Sequence, residues 1–147
     1  MEIALRLAEI KIHYRTIGTF YPTITNSKTA YETIRPYFSE AMEHKEFFYA
    51  IFLNTNSKVI SIMKVSEGGR ASTIVDIPII MQGLILSNAT SLIVAHNHPT
   101  GNTTPSINDK QITKKIKEAC KLLDFNLSDH LILTKDTYTS FADDGLL

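Results

Sequence analysis

Ser91–Leu123 reads SLIVAHNHPTGNTTPSINDKQITKKIKEACKLL, and a change of period within it decides the fold. Residues 91–95 (SLIVA) form a continuous apolar run of strand length, the mark of a buried strand. From Ser106 onward the pattern is helical, because Ile112, Ile116, Ala119 and Leu123 recur at i, i+4, i+7 and i+11. Such a stripe suits a helix packed on a sheet and ending near Asp124. Pro99, Gly101 and Pro105 shape the loop between the two elements.

Working outward, Glu46–Leu53 (EFFYAIFL) and Val59–Val65 (VISIMKV) flank the turn-rich Asn54–Ser57, which predicts a β-hairpin. Glu67-Gly68-Gly69 breaks the chain, and Asp76 then caps an apolar helix that has Pro78 in its first turn and reaches about Asn88. Ser27 is a candidate cap for a short helix from about Lys28 to Glu40, with Ala30, Tyr31 and Ile34 as its apolar stripe and Pro36 disturbing it. Two further strands are expected at His130–Thr134 and Tyr138–Phe141, around the turn Asp136-Thr137. Glu9–Arg15 alternates polar and apolar residues as a half-buried strand does, and Thr16–Asn26 is a connector. The expected fold is α+β, a mixed β-sheet flanked by helices, with an N-terminal strand and connector over residues 1–26 and one domain over 27–147.

The chain's 147 residues, 44% of them hydrophobic, suffice for one domain with a real core. Fifteen Lys and Arg balance fifteen Asp and Glu, so no net charge steers the protein onto nucleic acid or an anionic membrane. Cys120 is the only cysteine, which excludes an internal disulfide, and its apolar neighbours at helical spacing make it a core residue. The opening MEIALRLAEIKIHYR lacks the basic-then-apolar order of a signal peptide. No run reaches the ~20 apolar residues of a membrane-spanning helix, so a soluble cytoplasmic protein is expected.

Chemistry concentrates between His96 and Asp109. Side chains two apart on an extended chain point the same way, so His96 and His98 can present both imidazoles to one point. Asn97 between them points away and is expected to hold the loop by a hydrogen bond. Ser106 and Asp109 have the Ser-x-x-acid spacing of a capping box, which puts the carboxylate in a helix's first turn. Two imidazoles and a carboxylate make a three-ligand zinc set that leaves the fourth position to water, as catalytic sites do. Standing alone, His-x-His reads equally as a pair of loop histidines, with Asp109 only a helix cap.

The complete pattern, H-x-H-P with Ser eight residues after the second His and Asp three after the Ser, resembles the JAMM (JAB/MPN-type) metalloprotease motif. LIVAHNHPTGNTTPSINDKQIT, the later DHLILT and the closing YTSFADDGLL resemble its RadC-like branch, and the likeness runs from about Tyr31 to Leu147. The resemblance implies a JAB/MPN-like fold with cytidine-deaminase-like layering and one zinc ion on His96, His98 and Asp109. It also implies that Ser106 helps hold a tetrahedral intermediate, and that a glutamate from an early strand is the general acid/base. Glu46 stands at the matching position, with Glu67 as its rival. The reaction implied is hydrolysis of a peptide or isopeptide bond in a peptide or protein-conjugate substrate, with the glutamate activating zinc-bound water.

Three departures from the RadC-like pattern stand out. Pro78 occupies a place where an arginine is common, Thr100 replaces a serine, and only the segment before Ser27 stands where longer RadC proteins carry a DNA-associated helix-hairpin-helix region. The alternatives are a DNA-repair-associated accessory protein and a metal-stabilised binding module without turnover. His130, after Asp129, reads as a structural histidine or as a partner of the site, and His13 and His44 as surface residues.

Overall fold

In the computed structural model the described residues are 22–68 and 74–147, with positions 9, 11, 15 and 18. The alternating segment 9–15 and His13 therefore lie largely or wholly outside them. The described chain forms helix α1 (Ser27–Ile34), strands β1 (Phe47–Leu53) and β2 (Val59–Glu67), helix α2 (Ile77–Leu86), strand β3 (Ser91–Asn97), helix α3 (Ile107–Leu122) and strands β4 (Asn126–Leu133) and β5 (Tyr138–Ser140). The five strands make one mixed sheet in the order β2-β1-β3-β4-β5. Only β3 and β4 run parallel, joined by the crossover through α3. This is the expected α+β architecture, a sheet with helices on both sides.

Alternation along β1 explains the layering. Phe47, Tyr49, Ile51 and Leu53 join Ile93, Ala95, Leu131 and Leu133 on one face, where Ala30 and Ile34 of α1 cover them. Phe48, Ala50 and Phe52 join Leu92 and Val94 on the other, beneath Ile80 and Leu84 of α2 and Ile116 and Cys120 of α3. Each fully buried Leu, Ile or Phe contributes ~1.5–3 kcal/mol of burial free energy. The apolar runs of β1 and β3 therefore hold the centre of the sheet. Gly83 lets α2 approach closely, because a Cβ there would lie 2.7 Å from Cζ of Phe52.

Local differences from expectation have identifiable causes. Asn26, not Ser27, caps α1: its side chain accepts from Thr29 N at 2.9 Å while Thr29 Oγ1 accepts from Asn26 N at 3.1 Å. The Ser27 hydroxyl is instead engaged by Asp143 and Tyr138. The helix stops at Ile34 rather than near Glu40, and Pro36 lies in a short 3-10 turn followed by a second one at Glu40–Glu43. β3 extends through His96 and Asn97 because β1 and β4 pair with it on both sides. β4 begins at Asn126, before the expected His130, since the polar Asp129 is buried and satisfied by the Ser140 hydroxyl and the amides of His130 and Ala142. No helix among the described residues is long and apolar enough to cross a membrane.

Candidate metal centre

β1 and β3 are antiparallel, with Phe48 opposite His96. The two rings stack, their centroids 5.8 Å apart and their planes 11° from parallel. His98 prolongs the ladder to β4 by donating its amide to Leu133 O at 2.9 Å. Asn97 faces the opposite side and is fully buried. Its Oδ1 accepts from Phe47 N at 2.7 Å, and its Nδ2 donates to Met42 O and Lys45 O. The expected hydrogen bond of Asn97 thus holds the entry to β1 rather than its own loop.

After His98 the chain reverses. Gly101 N donates to His98 O at 3.1 Å, and Gly101 has φ +82°, a left-handed conformation that strains any residue with a Cβ. His98 Nδ1 lies 2.7 Å from Asn102 O. A carbonyl only accepts, so Nδ1 carries the proton and a neutral His98 has its lone pair on Nε2. Ser106 then caps α3: Asp109 N donates to Ser106 Oγ at 3.0 Å, and Ser106 N donates to Asp109 Oδ2 at 2.7 Å. This capping box fixes the carboxylate in the first turn, as the spacing predicts.

These elements bring His96, His98 and Asp109 together, with one potential ligand atom from each lying within 4.8 Å of the others. The two Nε2 atoms are 3.0 Å apart. Asp109 Oδ1 is 3.1 Å from His96 Nε2, and Oδ2 is 3.2 Å from His98 Nε2. Lone pairs converging this closely need a proton or a cation between them. The donor set of two imidazole nitrogens and one carboxylate is one that zinc accepts, with a coordination position to spare.

The electrostatics agree. Burial disfavours the charged Asp109 carboxylate, but its close contacts with the His96 and His98 rings and with the Ser106 amide outweigh it and hold the carboxyl far below its ordinary range. Burial also opposes the His98 imidazolium, yet the Asp109 carboxylate, the Asn102 carbonyl and the charge of Glu46 raise its pKa above the usual value. His130 is fully buried, and desolvation pushes it well below the usual histidine range.

Glu46 lines a pocket of about 300 Å³ together with Phe48, Val75, His96, Asp109 and Ile112. Glu46 stands immediately before β1, two residues from Phe48, which pairs with His96. Glu67 does not line this pocket, and its carboxylate accepts instead from Lys45 Nζ at 3.1 Å and Lys64 Nζ at 3.0 Å. The Ser106 oxygen accepts the Asp109 amide, which leaves its own proton to donate. Pro78 lies in the first turn of α2. His44 is exposed, and Cys120 is buried with its thiol pushed up to about 11 by desolvation.

His130 stands directly behind the site, its Nε2 2.8 Å from His96 Nδ1. The parallel pairing of Val94 with His130 puts it on the same sheet face as His96. Thr113, which the sequence reading passed over, lies 2.6 Å from His130 Nδ1. Its position one helical turn after Asp109 was the available signal.

A family model described as the RadC-like JAB domain matches residues 24–146. A UPF0758 protein of Flavobacterium johnsoniae is 47% identical over 123 residues, covering 84% of this chain and 53% of that protein. One from Porphyromonas gingivalis is 41% identical over 126 residues, covering 85% and 55% respectively, and one from Coprothermobacter proteolyticus is 36% identical over 126 residues, covering 84% and 54%. The chain spans about half the length of these curated relatives. With the family model matched along nearly all of the described chain and relatives at up to 47% identity, the protein belongs to the RadC-like JAB domain family.

Proposed function

We propose that this domain is a zinc-dependent hydrolase that cleaves a peptide or isopeptide bond, with His96, His98 and Asp109 holding one zinc ion. The observation that carries the reading is the convergence of both Nε2 atoms and the Asp109 carboxylate beside the pocket that contains Glu46. When bound there, zinc supplies Lewis-acid polarisation of a carbonyl and lowers the pKa of water.

The chain's own residues supply the rest. Glu46, half-buried beside His96 and Asp109, takes a proton from the attacking water and passes it to the departing amine. The Ser106 hydroxyl donates toward the negative oxygen that develops on the substrate carbonyl. Phe48 and Ile112 give the pocket an apolar wall, which excludes water and strengthens the electrostatics within it. Such a site suits a peptide or protein-conjugate substrate entering beside α3. The lone buried Cys120 and the absence of disulfides fit a reducing cytoplasmic setting.

Metal analysis of purified protein, paired with a hydrolysis screen over peptide and isopeptide conjugates, tests the proposal. Stoichiometric zinc and turnover that vanishes in Glu46→Gln support it. Zinc without turnover of any conjugate would favour a metal-stabilised binding module.

A further inference from the structure

His96 reaches the buried face of α3 through two side chains that no ligand role requires. Thr113 Oγ1 lies 2.6 Å from the main-chain carbonyl of Asp109 and 2.6 Å from His130 Nδ1. His130 Nε2 in turn lies 2.8 Å from His96 Nδ1. All four groups are buried, so none of these contacts can borrow a proton from solvent.

The direction of every hydrogen bond follows from one end. The Asp109 carbonyl can only accept, so the single hydroxyl proton of Thr113 points to it. Thr113 Oγ1 is then an acceptor for His130, whose proton must be on Nδ1. A neutral imidazole protonated on Nδ1 has a bare Nε2, which accepts from His96 Nδ1–H. His96 is left with its lone pair on Nε2, the nitrogen that lies 3.1 Å from Asp109 Oδ1 and 3.0 Å from His98 Nε2. Asn102 O does the same for His98 in one step.

We infer that Thr113 and His130 are positioning residues that set the tautomer of His96, with the backbone carbonyl of Asp109 as the origin of the chain. Asp109 thus acts twice, offering a carboxylate to the ion and, through its main chain, presenting His96 Nε2 to it. This inference rests on the metal-centre reading above. If the hydroxyl is removed, His130 Nδ1 loses its acceptor, and the tautomer with the proton on Nε2 becomes accessible. That tautomer would take its hydrogen bond to His96 Nδ1 and force the His96 proton onto the ligand nitrogen.

The test uses the full chain with zinc, in wild type, Thr113→Val and Thr113→Ser. Zinc affinity, measured by competition with a chromophoric chelator, is expected to fall about 10–100-fold in the nearly isosteric valine variant, the usual effect of removing an outer partner of a metal-bound histidine. It should return toward wild type in the serine variant, which keeps the hydroxyl. Nitrogen-15 NMR of the zinc-loaded wild type should show His130 and His96 both protonated on Nδ1, a result that does not depend on how any variant folds. Unchanged zinc affinity in Thr113→Val, a serine variant as weak as the valine one, or a proton on His130 Nε2 overturns the inference alone. A wild-type chain that binds no stoichiometric zinc overturns the metal-centre reading and this inference with it.

Discussion

The side-chain oxygen of Asn97 accepts the backbone amide of Phe47 at 2.7 Å, and this bond ties the end of β3 to the start of β1. It ties a residue lying between two candidate ligands to the one that follows Glu46. The Asn97 amide also donates to Met42 O and Lys45 O, so one buried side chain fixes the whole approach to Glu46. Replacing it with Ala leaves an amide and two carbonyls without their partner, and each unsatisfied buried group costs ~1–3 kcal/mol. Asn97→Ala is therefore expected to destabilise the domain by about 3 kcal/mol or more in urea unfolding. A loss below about 1 kcal/mol would show that water replaces these bonds freely.

The candidate ligands make a separate prediction. His96→Ala, His98→Ala and Asp109→Ala should each lower zinc content, since each removes one of three protein donors. Zinc at 100 times its Kd stabilises a folded protein by about 2.7 kcal/mol, so a chelator should lower the Tm of wild type and leave that of the variants nearly unmoved. Near-stoichiometric zinc in purified His98→Ala would refute the assignment.

Glu46 and Glu67 separate by mutation. Glu46→Gln keeps the size and most hydrogen bonding of the side chain but cannot accept a proton. Hydrolysis should drop by about 10²–10⁴-fold while zinc content and unfolding free energy hold. Glu67→Gln removes only an exposed pair with Lys45 and Lys64 and should leave turnover intact. The reverse result would move the acid/base role to Glu67.

His98 should couple the site to pH, with opposite signs in the two metal states. Its pKa in the folded, metal-free protein is raised by Asp109, Asn102 and Glu46 against the opposing effect of burial. The stability it contributes is therefore fully present below the unfolded value of about 6.5 and is lost as pH rises through the higher folded value. With a chelator present, wild type should exceed His98→Gln in unfolding free energy by more at about pH 5.5 than at about pH 8.5. Zinc competes with the proton for Nε2, so wild-type zinc affinity should instead rise over the same interval. An affinity that is flat with pH would remove His98 from the ligand set.

Much of this arrangement was legible along the chain. The apolar run at 91–95, the helical stripe from Ile112 and the Ser106–Asp109 capping spacing express local periodicities, and local periodicity is what a linear sequence displays. His96 and His98 belong to the same class, because two residues apart on a strand means one face. Cap choice was less legible, since Asn26 and Ser27 are both good caps and the contacts of Ser27 with Asp143 and Tyr138 are long-range.

The sequence by itself determined the mixed α/β layering, the strand-loop-helix that carries His96, His98 and Asp109, and the burial of Cys120. Only the tertiary structure put Glu46, and not Glu67, on the wall of the pocket beside His96 and Asp109, and only it joined Thr113 and His130 to the site. The physical reason is register. Which residue of β1 faces His96, and which of β4 stands behind it, depends on the pairing of strands far apart in the chain, and a slip of one residue would turn every side chain to the other face.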